Sequence, residues 1–319
     1  MHGRTGRLMH GWVMSGTRSA PAGRLIVAAA CLLAALQPAQ PQDDRPSDES
    51  LRALQDRGRT IALYLDAVDR GAERWKRQGS EAKPPDRTVV IPGRDGWRVL
   101  FLKDLAKDPV PAGPKKGMVL LAETSFSPDA REVGDLRVMV PPHAASATAQ
   151  SYARSLGEAE IAVLSRPDAG RPFEDAVIRE KDGTFTVYLL SHHEEEGQET
   201  PKEAQPGSVR FGRDFSIRVA ASGRQVLSIE PLHAGATAVP LAPRPAGQPT
   251  LHTHDKGDLP TPTDVALVLR HRSLAPHLVL TPRSMFRIDA EGELTWLGPN
   301  PVPAAPGAQS PPAPGGDTP

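Results

Sequence analysis

Apolar residues recur at two spacings along the chain, and the longer spacing predicts helices. Over residues 51–75, apolar side chains are mostly separated by three or four positions, which places them on one face of a helix. Asp48 or Ser50 can cap this helix, and Gly58 weakens the middle of its apolar stripe. Residues 144–164 are rich in alanine and contain few helix breakers, so they predict a second helix.

The shorter spacing, in which apolar and polar residues alternate, predicts strands in much of the remaining chain. Several of these segments are joined by glycine-containing turns, as at residues 181–183. We expect Pro141 and Pro142 to end the first group of strands, and residues 235–249 to form an alanine- and proline-rich loop. The predicted strands are residues 88–91, 97–102, 118–123, 136–140, 176–179, 184–190, 215–220, 225–232, 250–254, 277–280, 285–289 and 293–297.

A third, short helix is predicted over residues 264–272, with Thr263 as its cap. Together these elements predict an α+β protein. A region of helix and β-structure over residues 48–170 would precede a β-rich domain over residues 172–297, which has one helix after the strand of residues 250–254.

The N-terminal segment has the features of a targeting signal. Arginines precede an apolar run over residues 25–36, which has the length of a signal-peptide core and is too short to span a membrane. We therefore expect residues 1–40 to be a secretory signal, residues 41–47 a linker, and the mature protein to be periplasmic or secreted without a transmembrane helix. Residues 298–319 are mostly proline, alanine and glycine, and are predicted to be disordered.

The only cysteine in the sequence, Cys31, lies inside the predicted signal. It follows three alanines, as in a lipoprotein cleavage box, but the apolar run continues beyond it. We therefore expect a free mature protein rather than one anchored by a lipid at Cys31. Such a protein has no thiolate ligand, so any metal site must be built from histidine, aspartate and glutamate.

Charge and aromatic content argue against a nucleic-acid partner. The sequence has 38 basic and 38 acidic residues, so no net field attracts a phosphate backbone. Aromatic residues make up only 4% of the chain, too few to suggest a stacking platform for bases. We expect the partner to be a protein or peptide, whose identity the sequence does not give.

One segment near the C-terminus groups side chains that could carry chemistry. His252 and His254 are two residues apart on a predicted strand, so their side chains point the same way. Asp264, at the start of the predicted helix, could supply an oxygen ligand. Two histidines, an aspartate and a water make the open arrangement of a catalytic zinc. The alternative is that Asp264 is there because a helix N-terminus favours negative charge.

This order of strand, His-x-His, loop, Thr-x-x-Asp at a helix start, strand and hairpin resembles the JAMM (MPN-type) metalloprotease-like fold, over residues 172–297. The motif of that family is His-x-His-Pro, a loop and then Ser-x-x-Asp. Here Asp255 stands in place of the proline and Thr261 in place of the serine. The interval from the second histidine to the aspartate is also one residue shorter.

The resemblance implies a zinc ion on the two histidines and the aspartate, with Thr261 helping to stabilise an oxyanion. It also implies an upstream glutamate as general base on the metal-bound water. Glu174, next to a predicted strand, is the candidate for this base, and Glu230 is the alternative.

Two functions follow from these observations. The departures from the motif favour a non-catalytic or degenerate JAMM-like envelope domain, and the alternative is a zinc-dependent hydrolase of peptide or isopeptide bonds. The other histidines are expected to be unremarkable. Residues 192–196 predict a solvated acidic loop, while His233 and His277 are expected at the surface or at a strand end.

Overall fold

The computed structural model describes the chain in six stretches, residues 45–78, 84–106, 117–166, 173–191, 207–245 and 247–301. The predicted signal with Cys31, the acidic loop at residues 192–196 and residues 302–319 of the predicted tail lie outside them. Within these stretches there are three α-helices and fifteen strands, so the predicted α+β class is confirmed.

The three helices are those that the sequence predicts: α1 (Asp48–Arg77), α2 (Ala147–Leu164) and α3 (Pro262–Arg270). Their caps differ from the prediction in two cases. Ser47, rather than Asp48 or Ser50, caps α1 by accepting a hydrogen bond from the Ser50 backbone N–H at 3.1 Å. The cap of α3 lies two residues earlier than predicted, because Pro262 occupies a first-turn position where no backbone N–H is needed.

The strands are short, and most of them pair with a neighbour in the sequence. In chain order they are β1 (Arg87–Gly93), β2 (Gly96–Asp104), β3 (Met118–Ser127), β4 (Glu132–Val133), β5 (Arg137–Ala144), β6 (Phe173–Arg179), β7 (Phe185–Ser191), β8 (Ser208–Gly212), β9 (Phe215–Val219), β10 (Val226–Pro231), β11 (Ala236–Pro240), β12 (Thr250–Thr253), β13 (His277–Leu280), β14 (Ser284–Ile288) and β15 (Leu294–Pro299).

These strands form four sheets in the described stretches. The first contains β1 to β5, with both β4 and β5 paired to β3. The second has the order β10-β9-β7-β6, and β8 pairs with β11 in a two-stranded ribbon. In the fourth, of order β12-β13-β14-β15, β12 and β13 are parallel and the other pairs are antiparallel. The chain returns from β12 to β13 through α3, as a parallel pair requires a crossover.

Three predictions about strands were wrong. Pro141 and Pro142 do not end the first sheet but lie within β5, which is tolerated because, among the described strands, β5 pairs only with β3. The predicted loop over residues 235–249 contains β11, whose single buried residue, Val239, gives a weak pattern. The last strand continues to Pro299, past the predicted start of the tail.

The long helix α1 contacts several of the sheets. The Tyr64 hydroxyl accepts a hydrogen bond from the Val90 N–H at 3.1 Å, and Gln55 donates to the Leu294 carbonyl at 3.2 Å. Buried apolar residues of both predicted regions form one cluster. The boundary predicted near residue 171 stays a prediction. No helix in the described stretches is long and apolar enough to cross a membrane.

Helix α1 crosses α3 at Gly58, the residue that weakens its apolar stripe. A Cβ atom at this position would lie 2.5 Å from the Cβ of Val265 and 2.8 Å from the carbonyl oxygen of Pro262. The two helices can therefore approach this closely only because residue 58 has no side chain. The glycine sets the position of the first turn of α3.

We expect Gly58→Ala to lower the free energy of unfolding by about 1–3 kcal/mol, the usual effect of overpacking. Gly157→Ala in α2 is the matched control, because its Cβ would meet only Arg87 Nη2, at 3.6 Å. That change should be neutral or stabilise by up to about 1 kcal/mol, since alanine is the better helix former. Urea unfolding of both variants measures the difference, and equal effects would contradict the close crossing.

Candidate metal centre

Four buried side chains converge near the start of α3. His252 lies on β12, His254 directly follows that strand, Asp264 is in the first turn of α3, and His233 lies between β10 and β11. Their side chains are between 0 and 4% exposed. One ligand atom from each lies within 4.8 Å of one from every other, which makes the group able to hold a metal ion.

The contacts between these side chains are short and centre on the aspartate. Asp264 Oδ1 lies 3.2 Å from His233 Nε2 and 3.3 Å from His252 Nε2, while Oδ2 lies 2.9 Å from His254 Nε2. The Nε2 atoms of His233 and His254 are 3.0 Å apart. All three imidazoles therefore present a ring nitrogen to one carboxylate.

Asp264 also caps its own helix. Its Oδ2 accepts hydrogen bonds from the backbone N–H of Thr261 at 2.7 Å and from the Thr261 hydroxyl at 2.9 Å, and its N–H donates to Thr261 Oγ1 in return. This reciprocal arrangement is a capping box. The two explanations of Asp264 offered by the sequence are thus compatible, because a single carboxylate caps the helix and faces the histidines.

Electrostatics shift the pKa values of the buried side chains in different directions, and those of Asp264 and His252 move in the direction that suits metal ligands. Burial opposes ionisation of Asp264, but the three nearby histidines outweigh it and hold the pKa of this carboxyl well below its ordinary value. Burial lowers the pKa of His252, which favours the neutral imidazole that binds metals. For His233, burial lowers the pKa, but the neighbouring Asp264 more than compensates, so the net shift is upward.

His233 is held at the site through a residue that departs from the predicted motif. Asp255 Oδ1 accepts a hydrogen bond from the N–H of Ala234, the residue next to His233, at 3.1 Å. Lys256 Nζ donates to the Pro231 carbonyl at 2.5 Å, which also holds the turn between β10 and β11. Asp255, which stands where the motif has a proline, thus holds the segment that carries His233, the third histidine and fourth member of the group.

A second buried carboxylate lies behind His233. Asp214 Oδ2 is 3.7 Å from His233 Nδ1, and its other oxygen accepts a hydrogen bond from the Ser191 N–H at 3.0 Å. Burial raises the pKa of Asp214 to about 6. At 3.7 Å the two atoms are not hydrogen-bonded, and Asp214 acts on His233 through its charge, which raises the pKa of this histidine.

His252 has an equivalent neighbour in His277. The Nδ1 atom of His252 lies 2.7 Å from Nε2 of His277, the first residue of β13. Phe211, on β8, stacks on both rings with centroid distances of 4.4 and 4.5 Å. Burial lowers the pKa of His277 to about 3, so this ring is neutral.

The group fits a metal ion of the zinc type. Ligand atoms on a tetrahedral ion at about 2.0–2.1 Å are about 3.3 Å from each other. Four of the contacts in this group, which use both Asp264 oxygens, span 2.9–3.3 Å, and one ligand atom from each residue lies within 4.8 Å of all the others. The Nε2 atom of His252 is buried and has no hydrogen-bond partner in the part of the chain that the structure describes. A buried nitrogen lone pair without a partner is costly, and a metal ion would satisfy it.

The structure brings together the three metal ligands predicted from the sequence, His252, His254 and Asp264. Glu174, the predicted general base, is not a member of this group, and its carboxylate accepts a hydrogen bond from Arg270. The alternative base Glu230 is exposed on β10. The roles of both glutamates stay predictions.

Thr261, the predicted oxyanion residue, acts as the cap of α3, with its hydroxyl bonded to Asp264. The expectation that His233 and His277 are ordinary surface or strand-end residues was wrong in one respect. His277 does lie at a strand end, but it is fully buried, and His233 is 6% exposed. His233 belongs to the centre and His277 contacts its member His252, because segments distant in the sequence come together there.

No family model, curated protein or solved structure matches the chain. The resemblance to the JAMM fold therefore stays a prediction based on the motif, and the site has to be interpreted from its own geometry.

We expect Thr261→Val to lower the free energy of unfolding by about 2 kcal/mol, because it removes the cap of α3 and one donor to a buried carboxylate. Thr261→Ser keeps the hydroxyl and is the matched control, with an effect below about 1 kcal/mol. Urea unfolding with a chelator present isolates this contribution from any metal. Equal losses in the two variants would contradict the capping role of the hydroxyl.

Proposed function

We propose that this protein binds one zinc ion in a closed site made by His233, His252, His254 and Asp264, and that the ion stabilises the fold rather than hydrolysing a substrate. This function agrees with the non-catalytic exported domain predicted from the sequence, and export remains part of the proposal. The observation that carries it is the position of His233, which supplies a fourth protein ligand.

The number of ligands separates structural from catalytic zinc sites. Structural sites usually have four protein ligands, whereas catalytic sites have three and leave the fourth position to water or substrate. The motif predicts three ligands and a water. His233 Nε2 lies 3.0–3.2 Å from His254 Nε2 and Asp264 Oδ1, close enough to serve as a fourth ligand. A complete set of protein ligands supports a structural role.

Burial supports the same role. The ligand side chains are at most 4% exposed, so the described residues leave little surface at the centre that a substrate could contact. The ligands also come from separate segments, and His233 and Asp264 are 31 positions apart. An ion between them would cross-link the turn after β10, the end of β12 and the start of α3.

The ligand chemistry favours zinc over the hard cations. Magnesium and calcium prefer oxygen ligands in sets of six or more, whereas three imidazoles and a carboxylate suit zinc and its neighbours in the first transition row. Among these, zinc accepts a tetrahedral arrangement readily. Finding copper or nickel on these residues in the purified protein would show that the site binds a metal but does not prefer zinc.

A zinc-dependent hydrolase of peptide or isopeptide bonds is the second candidate. It is favoured by one observation, that His252, His254 and Asp264 converge as the JAMM motif implies. This function requires His233 to leave the ion and admit water. The two candidates therefore make opposite predictions about His233.

We expect the purified protein to contain one zinc per chain by elemental analysis, and a chelator to lower its melting temperature. Zinc at about a thousandfold above its Kd should raise the free energy of unfolding by about 4 kcal/mol, because it binds only the folded state. A His252→Ala, His254→Ala double variant should contain none. His143→Ala, at an exposed position on β5, is the control and should retain the metal. Equal zinc in both variants would refute the site.

The variant His233→Ala tests directly whether His233 is the fourth ligand of a closed zinc site. We expect it to weaken zinc binding by more than about 100-fold, since losing a ligand exceeds the 10- to 100-fold typical of outer residues. Chelator competition gives the affinity, and urea unfolding should show the loss of the zinc-dependent stabilisation. Full zinc affinity together with new peptide or isopeptide hydrolysis in this variant would favour the second candidate instead.

A further inference from the structure

A chain of short contacts extends from the proposed ligand His252 away from the centre. His252 Nδ1 is 2.7 Å from His277 Nε2, and His277 Nδ1 is 2.5 Å from the Thr250 hydroxyl oxygen. That hydroxyl lies 2.6 Å from the backbone carbonyl of Leu274. All three side chains are buried, with at most 7% exposure.

The carbonyl at the end of this chain determines the direction of every hydrogen bond in it. A carbonyl oxygen can only accept, so the single proton of the Thr250 hydroxyl goes to Leu274. The hydroxyl oxygen must then accept from His277, whose Nδ1 therefore carries a proton. The partners of His277 are a hydroxyl and an imidazole, neither of which is an anion, so this buried ring holds one proton only.

The neutral His277 has an unprotonated Nε2, which accepts from the Nδ1–H of His252. The proton between the two rings is thus on His252 Nδ1, the nitrogen that faces away from the centre. The other nitrogen, Nε2, faces the centre, 3.3 Å from Asp264 Oδ1 and without a hydrogen-bond partner among the described residues.

We propose that Thr250 and His277 are positioning residues that fix His252 in the Nδ1–H form, so that its Nε2 lone pair faces the metal centre before any ion arrives. The role in metal binding rests on the proposed zinc site, whereas the proton arrangement does not. The relay, defined as Leu274 carbonyl, Thr250, His277 and His252, contains none of the other three proposed ligands.

The packing around the relay supports this role. The planes of the His252 and His277 rings differ by 18° and their centroids are 4.9 Å apart, which suits an N–H···N bond close to both planes. Phe211 stacks on both rings, with interplanar angles of 18° and 8°. The parallel pairing of β12 with β13 places Thr250 opposite His277. Ring rotation is thereby restricted at each step.

Nitrogen NMR of histidine-labelled, metal-free wild-type protein tests the proton arrangement directly, because protonated and unprotonated ring nitrogens differ in chemical shift. We expect His252 and His277 both to carry their proton on Nδ1. A proton on Nε2 of His252 would overturn the proposal, even if zinc binds. If the protons are as assigned but no zinc binds, the relay stands and the proposed function fails.

Two variants test the consequence for the metal. Thr250→Val removes the hydroxyl and should weaken zinc binding by about 10- to 100-fold, as is typical for residues behind a ligand. Thr250→Ser keeps the hydroxyl and should bind zinc within about threefold of wild type, which provides the rescue by a conservative change. Chelator competition measures both affinities.

His277→Phe should behave like Thr250→Val. A phenyl ring can still stack on Phe211, but it cannot accept a hydrogen bond from His252 or donate one to Thr250. Unfolding of the metal-free variants shows whether each still folds. A purely structural role would lower the stability of the metal-free protein and leave the affinity of the folded fraction unchanged, and that result would overturn the proposal. A fall in affinity that Thr250→Ser does not share would support it.

Discussion

The arrangement of the C-terminal half depends on one buried charge. Asp264 has no exposure to solvent, and an isolated carboxylate in such a place costs several kcal/mol unless other groups compensate it. A helix N-terminus, a threonine hydroxyl and three imidazoles meet at its two oxygens. Helix α3 can be seated at this position because Gly58 lets α1 approach its first turn. The close helix crossing and the polar centre are therefore parts of one arrangement.

The surroundings of the centre follow from this position of Asp264. His252 and His254 reach it because side chains two apart on an extended segment face the same way. His233 reaches it through the turn that Asp255 and Lys256 hold. Asp255, which stands where the motif has a proline, is thus linked to the position of His233, the third histidine beside Asp264.

The sequence was sufficient for contacts set by local periodicity and insufficient for those set by distant pairing. His252, His254 and Asp264 could be grouped because a strand and the adjoining helix start determine their directions. His277 could have been placed as well, since a strand–helix–strand unit predicts parallel pairing of β12 with β13. His233 could not, because it lies beside the β8–β11 ribbon, where only one of the five residues of β11 is buried and the alternation is lost.

Because the sequence has a single cysteine, the proposed ion would provide a cross-link that no internal disulfide can provide. The sequence contains only Cys31, so the chain cannot form an internal disulfide. An ion shared by His233 and Asp264 closes a loop of 31 positions, and closing a loop of that order with a disulfide contributes about 3–4 kcal/mol in the chain-entropy account. Unlike a disulfide, an ion that binds only the folded chain stabilises it by its binding free energy, so this stabilisation depends on the protein's access to the ion. In the proposed site His233 fills the fourth coordination position with protein, as in most structural zinc sites, whereas a hydrolase would leave that position to water.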